Sequence, residues 1–253
     1  MAKNAIDLDR FEKFCDHSWI ARLVPSYNRS ATIGKYSVAR LLSDLEEMNE
    51  DFVKERGRVA FTSAEGRVKT RISYFRKLFD LARKHSLEGG KGLTQQSIEQ
   101  IASDIKDLCG VRFACPYYDE VVWAVNGFVR PRLSVLGYST DLTDSPKTHD
   151  SDYLDQGNDR GYRSYHFFVE VPTDIDIFGN SELVTCEVQA RTELQHVWAT
   201  KSHDLLYKPT QEWDFRDPHV LEDMRQVSNA LRSADQFLIG IRDRVRNNQE
   251  SEG

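Results

Sequence analysis

Apolar positions in the first third of the chain recur at helical spacing. In residues 36–56, Val38, Leu41, Leu42, Leu45, Met48 and Phe52 fall close to a period of 3.6 and predict an amphipathic helix. A second helix is expected around 68–85, with Ile72, Phe75, Leu78, Phe79 and Ala82 on its apolar side. A third covers 95–108, and the glycine-rich stretch at 89–92 reads as the loop between the two. An apolar stripe within residues 5–24 adds a helix ahead of these.

The pattern then changes period. GVRFACPY (110–117) is short, apolar and rich in β-forming residues, while YRSYHFFVEV (162–171) and LVTCEVQAR (183–191) alternate. The turn-rich segment TDIDIFGNSE between the last two predicts a hairpin-like pair. Helices resume at 192–206 and 218–246, followed by the polar tail NNQESEG. Strands set among helices predict an α/β (α+β) fold, a mixed β-sheet core flanked by helices. The expected division is an N-terminal helical extension (1–52), a central domain (53–208) and a C-terminal helix with a polar tail (209–253).

Composition narrows the class. An apolar content of 40% in 253 residues supports a sizeable core and argues against disorder. A net charge of −6 and a pI near 5.7 do not fit a protein that coats nucleic acid, although a local basic patch stays compatible with them. No stretch has the roughly 18–20 apolar residues a membrane span needs. The charged N-terminus lacks the apolar core of a signal peptide, so a cytoplasmic location without membrane contact is the expectation. Cys15, Cys109, Cys115 and Cys186 form no C-x-x-C pair and read as reduced thiols, three of them in apolar runs.

Five stretches carry candidate chemistry. In GRVKTRISYFRKL (66–78), Arg67, Lys69, Arg71, Arg76 and Lys77 occur without one acid, and on a helix Lys69, Ser73 and Lys77 share a face. Such a row suits a polyphosphate, and it equally suits a solvated basic face. In DIKDLCGVR (104–112), Asp107 stands at a helix-to-strand corner before Arg112, where an acid can hold Mg²⁺ or form an ordinary surface pair. Alternation puts Tyr162, Ser164 and His166 on one face of their strand, with Tyr162 at its start, where its ring could stand free for a base or pack in a half-buried sheet. Thr185, Glu187, Gln189 and Arg191 share the face opposite Val184, Cys186, Val188 and Ala190; they could bind a metal, a base edge and a phosphate, or simply line an exposed strand. The helix over 191–208 is expected to bury Leu194, Val197, Trp198 and Leu205. His196 and His203 then point away from that stripe and lack a third ligand for zinc. The EGGKGLT stretch fails the phosphate-loop pattern, and no G-x-G-x-x-G, G-x-S-x-G or H-E-x-x-H is present.

Taken in order, GRVKTRISYFRKL, DLCGVRF, GYRSYHFFVEV and EVQART…WAT…H…LYK resemble the RelA/SpoT nucleotidyltransferase domain, most closely the small alarmone synthetases, over about Val53 to Lys208. The resemblance implies a nucleotidyltransferase-like core and a GTP diphosphokinase that moves the β,γ-diphosphate of ATP to the ribose 3′-hydroxyl of GDP or GTP, making (p)ppGpp. It implies an ATP grip of Arg67, Lys69, Ser73, Lys77 and Arg112, and an acceptor site of Tyr162, His166, Gln189 and Arg191. It makes Asp107 and Glu187 the catalytic acids and Mg²⁺ ligands, both expected at solvated positions, with Glu187 assisting deprotonation of the acceptor. Homo-oligomers are common among such synthetases.

One segment departs from that pattern. Where guanine-nucleotide synthetases usually show Y-I-x-x-P-K-x-N-G-Y-R-S, this chain has Gly157, Asn158 and Arg160 in place of the proline, lysine and asparagine. Two alternatives therefore stay open: a toxic relative, paired with an antitoxin, that modifies the tRNA 3′ end or adenine nucleotides, and an inactive nucleotide-binding relative.

Overall fold

The computed structural model describes residues 10–89, 94–142, 150–172, 184–206 and 218–251. The first N-terminal apolar stripe is divided between a short helical segment over 10–15 and the long helix α1 (Ser18–Arg56), which also carries the second stripe and runs on through Pro25. A proline costs a helix one N–H bond and crowds the preceding turn. Here burial of Ile20 on one side of Pro25, and of Val38, Leu41, Leu45, Met48 and Phe52 on the other, holds the axis together. The helix ends where Gly57 takes φ +67° and its N–H returns to the Val53 carbonyl. The expected boundary at 52/53 falls inside this helix.

Next come β1 (Ser63–Val68), α2 (Arg71–Gly89), α3 (Gln95–Ser103) and β2 (Cys109–Cys115). A helical run, α4, follows in four segments: a 3₁₀ turn Tyr118–Glu120, a short α turn Val121–Trp123, a π-helical stretch Ala124–Val129 and an α turn Arg130–Val135. Then come β3 (Ser151–Asp152), β4 (Tyr165–Val171), β5 (Val184–Thr192), α5 (Glu193–Leu206) and α6 (Pro218–Ser251). The sheet order is β1-β2-β5-β4-β3, with β2 and β5 parallel and every other pair antiparallel. The mixed sheet and the antiparallel β4–β5 pair agree with the sequence reading; the turn segment TDIDIFGNSE lies outside the described residues.

Several expectations change. Residues 66–68 belong to β1, so Arg67 and Lys69 do not sit on the basic helix, which begins at Arg71. Thr70 caps it, its hydroxyl accepting the Ser73 N–H at 3.3 Å. Ile72 is 65% exposed, and Tyr74 takes the buried place instead. The helix expected to reach 108 stops at Ser103, which frees 104–108 to turn into β2. Strand β4 starts at Tyr165 rather than 162, and α6 runs through most of the expected polar tail, to Ser251. On α5, Val197 and Leu205 are more than half exposed; the buried side is Gln195, Trp198 and Ser202, three and four residues apart. That side is largely polar because it meets the polar end of the sheet and α6, where Asp235 accepts hydrogen bonds from Gln195 and from Thr192.

One sheet face carries Cys109, Val111, Phe113, Tyr165, Phe167, Val169, Cys186, Val188 and Ala190, covered by α1 and α4 in the main core. At Gly66 a Cβ would stand 2.2 Å from Val38, so only glycine lets α1 lie this close to β1. A second cluster joins α2 and α3 to the first half of α1, and a third joins α5 to α6 around Trp198 and Met224. The cysteines are free thiols, three of them buried, as expected.

Candidate active site

The opposite face of the sheet is polar, buried along β5 and more open toward β1. Register sets two rows across it. Glu65, Arg112, Gln189 and His166 lie opposite one another on β1, β2, β5 and β4. In the next row, Arg67 faces Gly110, then Glu187, then Phe168. Because Gly110 has no side chain, Arg67 can reach over β2 to Glu187 Oε2 at 3.4 Å. A Cβ at Gly110 would stand 2.4 Å from the Glu187 carbonyl oxygen, so the position takes only glycine.

Glu187 is 9% exposed, not the solvated acid expected from sequence, because three side chains close over it. Gln189 donates to its Oε2 at 2.8 Å, and His166 Nδ1 stands 3.1 Å from its Oε1. A carboxylate only accepts, so His166 donates from Nδ1, while its Nε2 stands 2.9 Å from the Tyr162 hydroxyl, which also lies 3.3 Å from Gln189 Oε1. Burial pushes the Glu187 carboxyl up, but the His166 hydrogen bond and the charges of His166 and Arg67 outweigh it and hold the pKa below the usual range. The ring of Tyr162 does not stand free: it packs in the Trp198–Met224 cluster beside α6, and burial pushes its hydroxyl up.

Asp107 anchors the second acid centre, two residues ahead of β2. Lys69, placed just past the end of β1 by its N–H bond to the Leu108 carbonyl, and Lys77 on α2 both meet Asp107 Oδ2, at 2.8 and 2.6 Å. Burial alone would raise this carboxyl; the two ammonium groups and their hydrogen bonds bring it down to about 2. For Lys69 burial wins, and its pKa is lowered despite Asp107. Asp107 Oδ1 is buried and has no hydrogen-bond partner among the described residues. A cleft of about 460 Å³ joins the two acids, lined by Lys77, Lys84, Lys106, Asp107, Phe168 and Glu187 among others.

Lys69 and Lys77 thus meet as expected, although by a strand end and a helix turn rather than one helix face. Ser73 does not join them; it is exposed in the first turn of α2, its hydroxyl on Thr70 Oγ1 at 2.9 Å. Arg112 pairs with Glu65 at 3.3 Å. Arg191 is 1% exposed, lies 5.9 Å from the Tyr162 ring centre, and is lowered to about 10 chiefly by burial. The exposed-strand alternative for Glu187, Gln189 and Arg191 is therefore excluded, since this face is buried and cross-linked by hydrogen bonds. Glu65, Phe168 and Lys106 were missed by sequence reasoning. Reading SAEGRV as a strand would have placed Glu65 beside Arg67, two positions away on the same face.

A mixed sheet flanked by helices, with two carboxylates and a set of cations around one cleft on its polar face, is a nucleotidyltransferase-like α+β core. Residues 66–212 match the model of the region found in RelA / SpoT proteins, and the chain belongs to that family. It is similar to the GTP pyrophosphokinase YwaC of Bacillus subtilis (strain 168), with 26% identity over 147 residues, 58% of this chain and 62% of that protein. The GTP pyrophosphokinase YjbM of the same organism is 29% identical over 105 residues, 41% of this chain and 43% of that protein. The chain thus spans less than two thirds of the length of these curated relatives. Among solved structures, small alarmone synthetase 1 from Bacillus subtilis bound to its product pppGpp aligns at a TM-score of 0.62 and 22% identity, covering 88% of this chain and 99% of that one. A GTP pyrophosphokinase family protein from Streptococcus pneumoniae aligns at 0.58 and 20%, covering 95% and 98%. At these identities the two structures show a shared fold.

Proposed function

We propose that this chain is a pyrophosphokinase that transfers the β,γ-diphosphate of ATP to the ribose 3′-hydroxyl of GDP or GTP. The observation that carries this reading is the convergence of Asp107, held by Lys69 and Lys77, and Glu187, held by Arg67 and His166, on one cleft. In the transfer, the acceptor oxygen attacks the β-phosphorus and the bond from that phosphorus to the α,β-bridging oxygen breaks. AMP leaves with the electron pair, and the hydroxyl proton passes to the Glu187 side, directly or through water. Most of the gain in such a reaction comes from alignment and fixed charge. Lys69 and Lys77 can move from Asp107 to phosphate oxygens, and Arg67 extends this grip toward the acceptor.

The buried, partnerless Oδ1 of Asp107, with a second ionised carboxylate on the same cleft, fits Mg²⁺, which takes hard oxygen ligands and shares them with phosphates and water. Asp107 and Glu187 would hold the ion, which when bound neutralises charge on the phosphate oxygens. Glu187, ionised well below neutrality, orients and polarises the acceptor hydroxyl more than it retains a proton. Tyr162, fixed through His166 and Gln189, sets the far wall of the acceptor side.

The acceptor loop supports keeping two other substrates in the test. From Tyr153 to Tyr162 it turns at Gly157 (φ +69°) and Gly161 (φ +87°), and the Asn158 side chain accepts the Arg160 and Tyr162 N–H groups. Asn158 thus spends its side chain inside the loop, where the usual pattern has a lysine. Purified chain incubated with Mg²⁺ and γ-labelled ATP should label GDP or GTP when these are offered beside ADP, ATP and bulk tRNA. Label on tRNA or an adenine nucleotide instead would move the assignment to that acceptor, and label on none would contradict the pyrophosphokinase reading.

A further inference from the structure

His196 lies outside the residues assigned to the transfer, yet it touches the polar face at its most positive end. Arg191 Nη2 donates to His196 Nδ1 at 3.2 Å. A guanidinium has donors only, so Nδ1 must be the unprotonated nitrogen and the imidazole proton lies on Nε2, 3.7 Å from Glu65 Oε1. The charged groups facing His196 are Glu65 from β1, Arg112 from β2 and Arg191 from β5. Burial and the two arginines hold its pKa below the usual value, consistent with a neutral ring.

The chemistry around Arg191 is unusual for a side chain buried this deeply. Buried arginines are ordinarily matched by a carboxylate that cancels the charge. Among the described residues no ion pair is made by Arg191, its Nε has no partner, and the charges of Arg112 and Arg67 work against it. Glu65 lies near, but its side chain is 54% exposed and already pairs with Arg112. An imidazole acceptor satisfies one guanidinium N–H without cancelling the cation. A carboxylate at residue 196 would make the same hydrogen bond and neutralise it.

We propose that His196 is a positioning residue whose neutral ring orients Arg191 while leaving its positive charge to act on the phosphates of a bound nucleotide. This rests on the polyphosphate-binding function proposed above. It goes beyond that reading in assigning a role to a residue on α5 and a reason for its chemical type: the site needs an acceptor there, and one without charge.

The test compares His196→Asn with His196→Asp. Both place an oxygen near the position of Nδ1, and they differ by one charge. Equilibrium binding of ATP and of GDP to the full chain, each titrated alone, gives the readout, with melting temperature recorded beside it. Wild type and His196→Asn should bind at least one of the two nucleotides within about threefold of each other. His196→Asp should bind that nucleotide about 10- to 100-fold more weakly, as removal of one net charge at close range requires, with an unchanged or higher melting temperature. Equal affinities for the two variants would overturn the inference while leaving the proposed function standing. A wild-type chain that binds neither nucleotide would overturn both. Should His196→Asp fail to fold, the pair His196→Gln and His196→Glu repeats the same charge step one methylene further out.

Discussion

The two faces of the sheet are built from opposite materials, and the apolar one is the more deeply buried. On one side Val111, Phe113, Phe167, Val169 and Val188 join the apolar core with α1 and α4. On the other, Glu187, Gln189 and Arg191 are buried, His166 and Tyr162 half-buried and Arg67 exposed, and they bind one another through charge and hydrogen bonds. Burying apolar surface stabilises a fold at about 25 cal/mol per Å². Burying a paired ion set returns little net stability, because desolvation offsets most of the attraction. The apolar face therefore carries the fold, and the polar face, which gains the fold little, is the part shaped for chemistry.

That contrast breaks most sharply at Glu187. Glu187→Gln keeps the volume and a hydrogen-bonding end but removes the charge facing His166 and Arg67. Transfer should fall by about 10²–10⁴, the range typical for loss of a positioned acid–base group. The melting temperature should move by only a few degrees, and steady-state kinetics with calorimetry on one preparation reads both. Leu41→Ala should do the reverse. Leu41 is fully buried on α1, and opening a cavity there should cost about 2–5 kcal/mol of stability, seen as a lower denaturant midpoint. The rate per folded molecule should be unchanged.

A smaller effect follows from Asp107. Its folded pKa of about 2 lies below the ordinary 3.8, so its contribution to stability is complete above pH 4 and is lost as pH falls through 2. Acid unfolding followed by circular dichroism should show that loss in the wild type, and Asp107→Asn should flatten the dependence in the same window. The smallest change is expected for Tyr162→Phe. It removes only the hydroxyl that meets His166 and Gln189, and should raise the acceptor KM several-fold with the ATP KM unchanged.

Much of this contrast is legible in the sequence wherever side chains alternate strictly. In CEVQAR, period two sorted Glu187, Gln189 and Arg191 from Cys186, Val188 and Ala190. What alternation could not show is that the polar side is buried, since burial depends on α5, α6 and the neighbouring strands. Strand β1 went unread because its inward positions, Ala64, Gly66 and Val68, are small, a consequence of how closely α1 crosses it. Helix α5 misled in the opposite sense, because its inner side is Gln195 and Ser202 around a single Trp198. Lys69 and Lys77 were grouped correctly for a reason that fails, since Asp107 rather than a shared helix face brings them together. The roles proposed for these residues follow the family motifs; the structure supplies their partners.

In the function proposed for this chain, the polar face aligns a diphosphate for transfer as one unit. The most direct test is the nucleotide balance when purified chain turns over ATP with GDP or GTP. The account predicts AMP in one-to-one ratio with an acceptor that has gained two phosphates, and loss of both products together in Glu187→Gln. Formation of ADP, or AMP release without any modified acceptor, would contradict it.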